Sequence, residues 1–85
     1  MEVGAGYGIF CEELKKVNHF RKVIAVEPTP GLAKTCRDKS IETLELPVEK
    51  LPSHVKVDVI ASFEVIEHLF SPKDFLASCR QHLSS

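Results

Sequence analysis

Near its start the chain carries a glycine-rich loop, and an apolar run further on ends in an acidic residue. The loop has the sequence E-V-G-A-G-Y-G, from Glu2 to Gly8, and a second acidic residue, Glu27, ends the apolar run V-I-A-V. Glycines are required where the backbone turns with positive φ or approaches a ligand without an intervening Cβ. When such a loop opens a helix, its unpaired N–H groups face the ligand. A carboxylate at the end of the next parallel strand can accept hydrogen bonds from both hydroxyls of a ribose.

The spacing of the glycines distinguishes between classes of nucleotide. Dinucleotide-binding loops have the pattern G-x-G-x-x-G and hold a pyrophosphate at the helix N-terminus. Here the third-glycine position of that pattern is Ile9, and the glycine comes one place earlier, at Gly8. This spacing argues against an NAD-binding oxidoreductase fragment, which is kept as an alternative.

Two further segments place acidic residues after apolar runs. Residues 23–28 have the sequence V-I-A-V-E-P, and residues 57–69 have the sequence V-D-V-I-A-S-F-E-V-I-E-H-L. In the second segment Glu64, Glu67 and His68 are spaced i, i+3 and i+4, so one turn of helix would bring them to one face. Two carboxylates and one imidazole suit Mg²⁺, Mn²⁺ or a similar divalent ion.

Taken together, these segments resemble the class I S-adenosylmethionine (SAM)-dependent methyltransferases. The pattern E-x-G-x-G-x-G is similar to the first motif of that family, and V-I-A-V-E-P looks like its second strand. Residues 57–69 resemble the fourth strand and the E-V-x-E-H turn of the small-molecule enzymes grouped around the ubiquinone-biosynthesis O-methyltransferases. The resemblance spans essentially the whole chain. It implies methyl transfer from SAM to a small-molecule acceptor.

The resemblance also implies a set of cofactor-binding residues. Glu27 would hold the ribose, and Glu2 would steady the glycine loop or the methionine ammonium group. Phe63 would form a wall beside the adenosine or methionine, or else be an ordinary core aromatic. The full set is Glu2, Gly4, Ala5, Gly6, Gly8, Glu27, Pro28, Val48 and Phe63.

The adenine contacts depart from the family pattern. Many members carry an acid just after the third strand that binds the adenine amino group, and here that place is Pro47. Adenine would then depend on the backbone at Val48 or on Glu49, which follows it.

Three interpretations stay open for the E-V-I-E-H turn. Glu64, Glu67 and His68 could ligate a divalent cation such as Mg²⁺, as this pattern does in some of the methyltransferases that it resembles. Alternatively, His68 could act as a general base for an acceptor hydroxyl. In the third interpretation the acid and the histidine only cap a helix or line the mouth of the substrate site.

Composition argues against several classes of partner. Eleven basic and twelve acidic residues give no basic surface, which argues against nucleic acid. No apolar run is long enough for a membrane span. The three cysteines, Cys11, Cys36 and Cys79, form no zinc or disulfide pattern, so we expect reduced thiols and a cytoplasmic location. The oligomeric state is not predicted.

Alternating strand and helix patterns predict a parallel α/β sheet with flanking helices. A first helix is predicted over residues 7–17 and a second from the N-cap Thr29, with buried strands at residues 23–27 and 57–63 and a weaker strand at 41–46. A last helix is predicted from an S-x-x-D capping box at Ser71. The apolar stripes are Phe10, Leu14 and Val17 on the first helix, and Phe75, Leu76, Cys79 and Leu83 on the last; His19, His54 and His82 are predicted to be solvated.

The predicted fold class is therefore a partial doubly wound, Rossmann-like parallel sheet. The resemblance implies the strand order 3-2-1-4. Residues 1–85 would form an incomplete SAM-binding methyltransferase domain that has strands 1–4 and lacks strands 5–7. The further alternative to an enzyme is a SAM-binding module without catalysis.

Overall fold

The apolar run before Glu27 forms the central strand of a small parallel sheet. The computed structural model describes residues 1–63 and 71–84. In the sheet, Ala25 of the central strand pairs with Glu2 on one side and with Thr43 on the other, both in parallel. The described elements are β1 (Glu2–Val3), α1 (Ile9–Val17), β2 (Ile24–Val26), α2 (Pro30–Asp38), β3 (Glu42–Leu44), a short 3₁₀ helix (Val48–Lys50) and α3 (Pro72–Gln81). The predicted α/β class with a parallel sheet is confirmed.

The two faces of β2 pack against two separate hydrophobic clusters. Successive side chains of a strand point to opposite faces, so Ala25 and Val26 enter different clusters. Because all three residues of β2 are buried, both faces of the sheet are covered at this strand. One cluster comprises Val3, Val26, Val48, Leu51, Phe75 and Cys79. The other comprises Ala5, Cys11, Ala25, Cys36 and Ile41.

Local sequence signals define where the helices begin. Thr29 is the N-cap of α2 and Pro30 is its first residue, as predicted, although the Thr29 side chain makes no capping hydrogen bond. At α3, the Asp74 amide donates to the Ser71 Oγ at 3.4 Å, which is the predicted capping contact. Helix α1 begins at Ile9 rather than residue 7, because its N-cap Gly8 is left-handed, with φ of 78°.

The prediction that Phe10, Leu14 and Val17 form the buried face of α1 is wrong. Cys11 is the residue of α1 that lies in the core, whereas Val17 is 68% exposed and Phe10 is 36% exposed. The face of α1 towards β2 is packed against small residues, Ala5 and Ala25 among them, and a cysteine fits there. On α3, Phe75 and Cys79 are buried as predicted, but Leu76 and Leu83 are exposed.

The predicted fourth strand, residues 57–63, does not form an extended ladder. Ala61 makes an isolated parallel bridge to Glu2, and Val57 makes another to Leu83. Each bridge joins a different neighbour and neither continues to a second residue pair, so the described strands number three, in the order β1-β2-β3.

His82 is buried rather than solvated. It is 3% exposed, and its Nδ1 lies 2.8 Å from the Val55 carbonyl oxygen. Since a carbonyl oxygen only accepts, Nδ1 carries the proton and donates. Among the described helices, none combines the length and the apolar character needed to cross a membrane.

Candidate functional site

The loop between β1 and α1 turns three times through left-handed backbone. Gly4, Gly6 and Gly8 have φ of 77°, 58° and 78°. An L residue with a side chain is strained in this region by roughly 1–2 kcal/mol. The three glycines of the E-x-G-x-G-x-G pattern are therefore a requirement of the backbone path, and they bring the loop to the carboxyl ends of β1 and β2.

Two of these glycines face different surroundings. A Cβ built on Gly6 would have no atom within 4 Å, so this side of the loop is open. A Cβ on Gly8 would lie 3.0 Å from the Sγ of Cys36 and 3.1 Å from the Cδ1 of Ile41. Gly8 thus allows α1 to pack closely on the elements beneath it, whereas Gly6 leaves bare backbone beside open space.

Glu27 holds the loop in this conformation. Its Oε1 accepts a hydrogen bond from the Gly6 amide at 2.8 Å, and its Oε2 accepts one from the Thr29 amide at 3.0 Å. The residue is only 5% exposed. Each carboxylate oxygen has two acceptor positions, so both oxygens keep one for a ligand hydroxyl. The sequence did not predict the bond to Gly6.

Glu2 lies beneath the loop. Its buried carboxylate accepts a hydrogen bond from the Cys11 thiol at 3.3 Å. Burial raises the pKa of Glu2, and the Cys11 hydrogen bond opposes that shift only in part. Burial also raises the pKa of Cys11 to about 12, with the hydrogen bond to Glu2 as the next cause, so this thiol stays protonated and donates. Through Cys11, Glu2 fixes the first turn of α1 against β1.

The other residues assigned to the cofactor site lie in three kinds of environment. Ala5 and Val48 are buried in the two separate core clusters, and Pro28 is exposed beside Glu27. Phe63 is 54% exposed, so it is not a core aromatic, and its ring meets the ring of Phe10 edge-on with centroids 4.8 Å apart. This contact places Phe63 beside α1, the helix that follows the glycine loop.

Cys36 is a contributor to the loop that sequence reasoning missed. It lies on α2 with no exposed surface, and its thiol donates to the Gly6 carbonyl oxygen at 3.3 Å. The signal in the sequence is indirect. A glycine at position 8 implies a close neighbour, but nothing in the pattern identifies Cys36 as that neighbour.

The E-V-I-E-H turn falls outside the described residues. The predicted ligands Glu64, Glu67 and His68 all lie in that part, so their arrangement stays a prediction. Within residues 1–63 and 71–84, no group of three or more His, Cys, Asp or Glu side chains could hold a metal ion.

A groove of about 580 Å³ is lined by Glu2 but by none of the loop glycines. It is lined by the starts of β1 and β2, by α1 and by the segment that follows Lys56. Its apolar lining includes Phe10, Leu14, Phe20, Ile24 and Val59. Neither Gly4–Gly8 nor Glu27 lines it, so it is distinct from the crevice at the carboxyl ends of the strands.

Comparison with known families agrees with the loop geometry. A family model described as a methyltransferase domain matches residues 1–85. The chain belongs to this family of methyltransferase domains. The match covers the glycine loop, the acid after β2 and the E-V-I-E-H turn.

Curated relatives of this methyltransferase domain carry one name. A ubiquinone biosynthesis O-methyltransferase of Bradyrhizobium diazoefficiens is 29% identical, over 93% of this chain and 33% of the relative. A protein of the same name from Rhodopseudomonas palustris is 31% identical, over the same shares. The chain thus spans about a third of the length of these relatives. No solved structure matches it.

Proposed function

We propose that this methyltransferase domain binds SAM at the carboxyl ends of β1 and β2 and serves transfer of its methyl group to a small-molecule acceptor. The observation that carries the proposal is the pairing of the open face at Gly6 with the Glu27 carboxylate, in a loop whose three glycines all have positive φ. Family membership and the names of the curated relatives support the same chemistry.

The described residues suit the parts of SAM. Open space beside Gly6 leaves room for a ligand against the backbone, and the free acceptor positions of Glu27 suit the two ribose hydroxyls. The loop would then accept the methionine part, with Gly4, Ala5 and Gly8 shaping it. Phe63 would border the ligand on the α1 side, and adenine would lie near Pro28 and Val48.

The protein's contribution to such a reaction is positional. SAM supplies a methyl group that is already activated by its sulfonium, so the chain mainly needs to hold and orient the ligand. Glu27 and the loop backbone fix the ribose, while the buried Glu2 and Cys11 pair holds the loop from below. The relatives' printed names support an oxygen atom as the methyl acceptor.

We also propose that residues 57–63, although they form no continuous ladder, take the place of a fourth strand beside β1 at Ala61, which gives the order 3-2-1-4. Support comes from the Val3 amide, which donates to the Ala61 carbonyl at 2.8 Å, and from the Ala61 amide, which donates to the Met1 carbonyl at 2.9 Å. In this proposal residues 1–85 are an incomplete domain without strands 5–7. The three free cysteines support a reducing, cytoplasmic location.

The E-V-I-E-H turn would serve the acceptor in two of its three interpretations. Glu64, Glu67 and His68 would bind a divalent cation such as Mg²⁺, or His68 would take the proton of an acceptor hydroxyl. In the third, the turn is structural. The first interpretation predicts dependence on an added metal, and the second does not.

Parallel titrations of the full-length protein with SAM and with NAD test the proposal. We expect saturable SAM binding and no NAD binding, since Ile9 occupies the position of the third dinucleotide-binding glycine. NAD binding without SAM binding would overturn the proposal in favour of an oxidoreductase. SAM binding without methyl transfer to any hydroxylated acceptor would favour the binding module.

A further inference from the structure

Gly6 is held at both of its backbone polar groups by side chains from different elements. Its amide donates to Glu27, which follows β2, and its carbonyl oxygen accepts from the thiol of Cys36, on α2. Gly6 is also the residue whose open face would receive the ligand. The two bonds fix the orientation of this residue from opposite ends.

Cys36 makes a second contact with the same loop. Its Sγ would lie 3.0 Å from a Cβ on Gly8, and its Cα would lie 3.6 Å from that position. The sulfur atom therefore fills the space beneath Gly8 while its proton bonds the Gly6 carbonyl oxygen. Burial, followed by the negative charge of Glu27, raises the pKa of Cys36, so the S–H donor persists at neutral pH.

We propose that Cys36 is a positioning residue for the cofactor loop. It sets the direction of the Gly6 carbonyl and, across the same planar peptide, of the Tyr7 amide, while Glu27 holds the Gly6 amide, so the two contacts together fix the open face at Gly6. Cys36 touches no ligand itself, since it lies beneath the loop and is fully buried. That the positioned loop serves SAM rests on the proposed function; that Cys36 orients the loop does not.

Three variants separate this role from simple core packing. Cys36→Ala removes the donor and the sulfur, and Cys36→Ser restores a donor in a smaller side chain. Cys79→Ala is the matched control, because Cys79 is also a buried free cysteine of a helix but lies in the opposite core cluster. A general loss of packing should appear in both alanine variants, whereas a change in the glycine loop should appear in Cys36→Ala alone.

Amide hydrogen exchange of residues 4–8, measured on the full-length protein without ligand, tests the contact directly. We expect Cys36→Ala to speed exchange in the loop roughly two- to ten-fold, the effect of losing one hydrogen bond. Cys36→Ser should stay within about two-fold of the wild type, and Cys79→Ala should leave the loop unchanged. Equal exchange in Cys36→Ala and the wild type, or equally fast exchange in the serine and alanine variants, would overturn the proposal.

SAM titration of the same variants tests the consequence. The SAM dissociation constant should rise in Cys36→Ala by a similar factor and recover in Cys36→Ser. A looser loop with unchanged SAM affinity would overturn the positioning role. If the wild type itself binds no SAM, the proposed function fails, and the exchange measurement still decides whether Cys36 orients the loop.

Discussion

The Oε1 atom of Glu27 accepts the amide of Gly6 at 2.8 Å, so the acid after the second strand holds the loop after the first. Both groups belong to the chain, so the bond needs no ligand to form. Glu27 can therefore act on a ligand in two ways, by contacting its ribose and by keeping the loop in shape. The two roles are separable by experiment.

Replacing Glu27 with alanine should weaken SAM binding by ten-fold or more. Charge-assisted hydrogen bonds contribute roughly 1.5–3 kcal/mol each, and about 1.4 kcal/mol corresponds to a factor of ten. Isothermal titration calorimetry on the folded variant measures the change. Glu42→Ala is the control, because Glu42 is an exposed strand glutamate paired with Lys22 at 3.6 Å. Unchanged SAM affinity in Glu27→Ala would remove this residue from the site.

A SAM analogue that lacks one ribose hydroxyl then separates contact from loop shape. If Glu27 binds that hydroxyl, the losses caused by Glu27→Ala and by the analogue should not add, since both remove one interaction. Additive losses would assign Glu27 to loop shape alone.

Alanine at Gly8 should mainly reduce the stability of the fold, whereas alanine at Gly6 should mainly weaken SAM binding. Gly8→Ala should destabilise the fold by about 2–4 kcal/mol, because it combines left-handed strain with contacts of 3.0 and 3.1 Å to Cys36 and Ile41. Gly6→Ala meets no atom, so it should cost about 1–2 kcal/mol from strain alone but weaken SAM binding. Urea denaturation and SAM titration measure the two effects, and equal destabilisation would contradict the packing difference.

Glu2 should make the stability depend on pH in a particular direction. Because its pKa is raised by burial, the folded chain binds this proton more readily than the unfolded chain. The resulting stabilisation is complete below the unfolded pKa of a glutamate and is lost as pH rises through the higher folded value.

Glu2→Gln has no charge to desolvate on folding, so it should be more stable than the wild type at neutral pH, and this advantage should shrink on acidification through that window. Urea midpoints across the pH range measure the difference, with the exposed Glu13→Gln as control. An advantage that is constant with pH would contradict the assignment.

The E-V-I-E-H turn gives a prediction on the methyltransferase activity of the full-length protein. If Glu64, Glu67 and His68 bind a cation, a chelator should abolish activity, Mg²⁺ or Mn²⁺ should restore it, and Glu67→Gln should mimic the chelator while SAM affinity stays intact. If His68 is a general base, the chelator should have no effect and His68→Ala should cost about 10²–10⁴ in rate. If the chelator, Glu67→Gln and His68→Ala all leave the activity unchanged, the turn has a structural role.

Features set by local chemistry were predictable from the sequence. Helix α2 begins at Pro30 and helix α3 at Pro72 because the fixed φ of proline, joined at α3 by the Ser71 cap, acts within a single turn. The parallel pairing of β1, β2 and β3 follows from alternating strand and helix patterns.

Features set by contacts between elements were not predictable. Periodicity identified Phe10, Leu14 and Val17 as the buried stripe of α1. Cys11 is instead the residue in the core, because space there is limited by Ala5 and Ala25. The hydrogen bond from the Cys36 thiol to the Gly6 carbonyl oxygen also depends on packing between elements, which periodicity does not report. Residues 57–63 have the composition of a strand, but a ladder needs consecutive partners, and here the bridges go to two different neighbours.

The five residues from Gly4 to Gly8 have an unusually large number of backbone conformations to lose, since three of them are glycines. Ordering such a segment opposes folding by roughly 1–2 kcal/mol per residue. In this chain the bonds to Gly6 and the packing beneath Gly8 offset that entropy when the domain folds. Because these contacts lie within the chain, the loss of loop entropy falls on folding and not on binding.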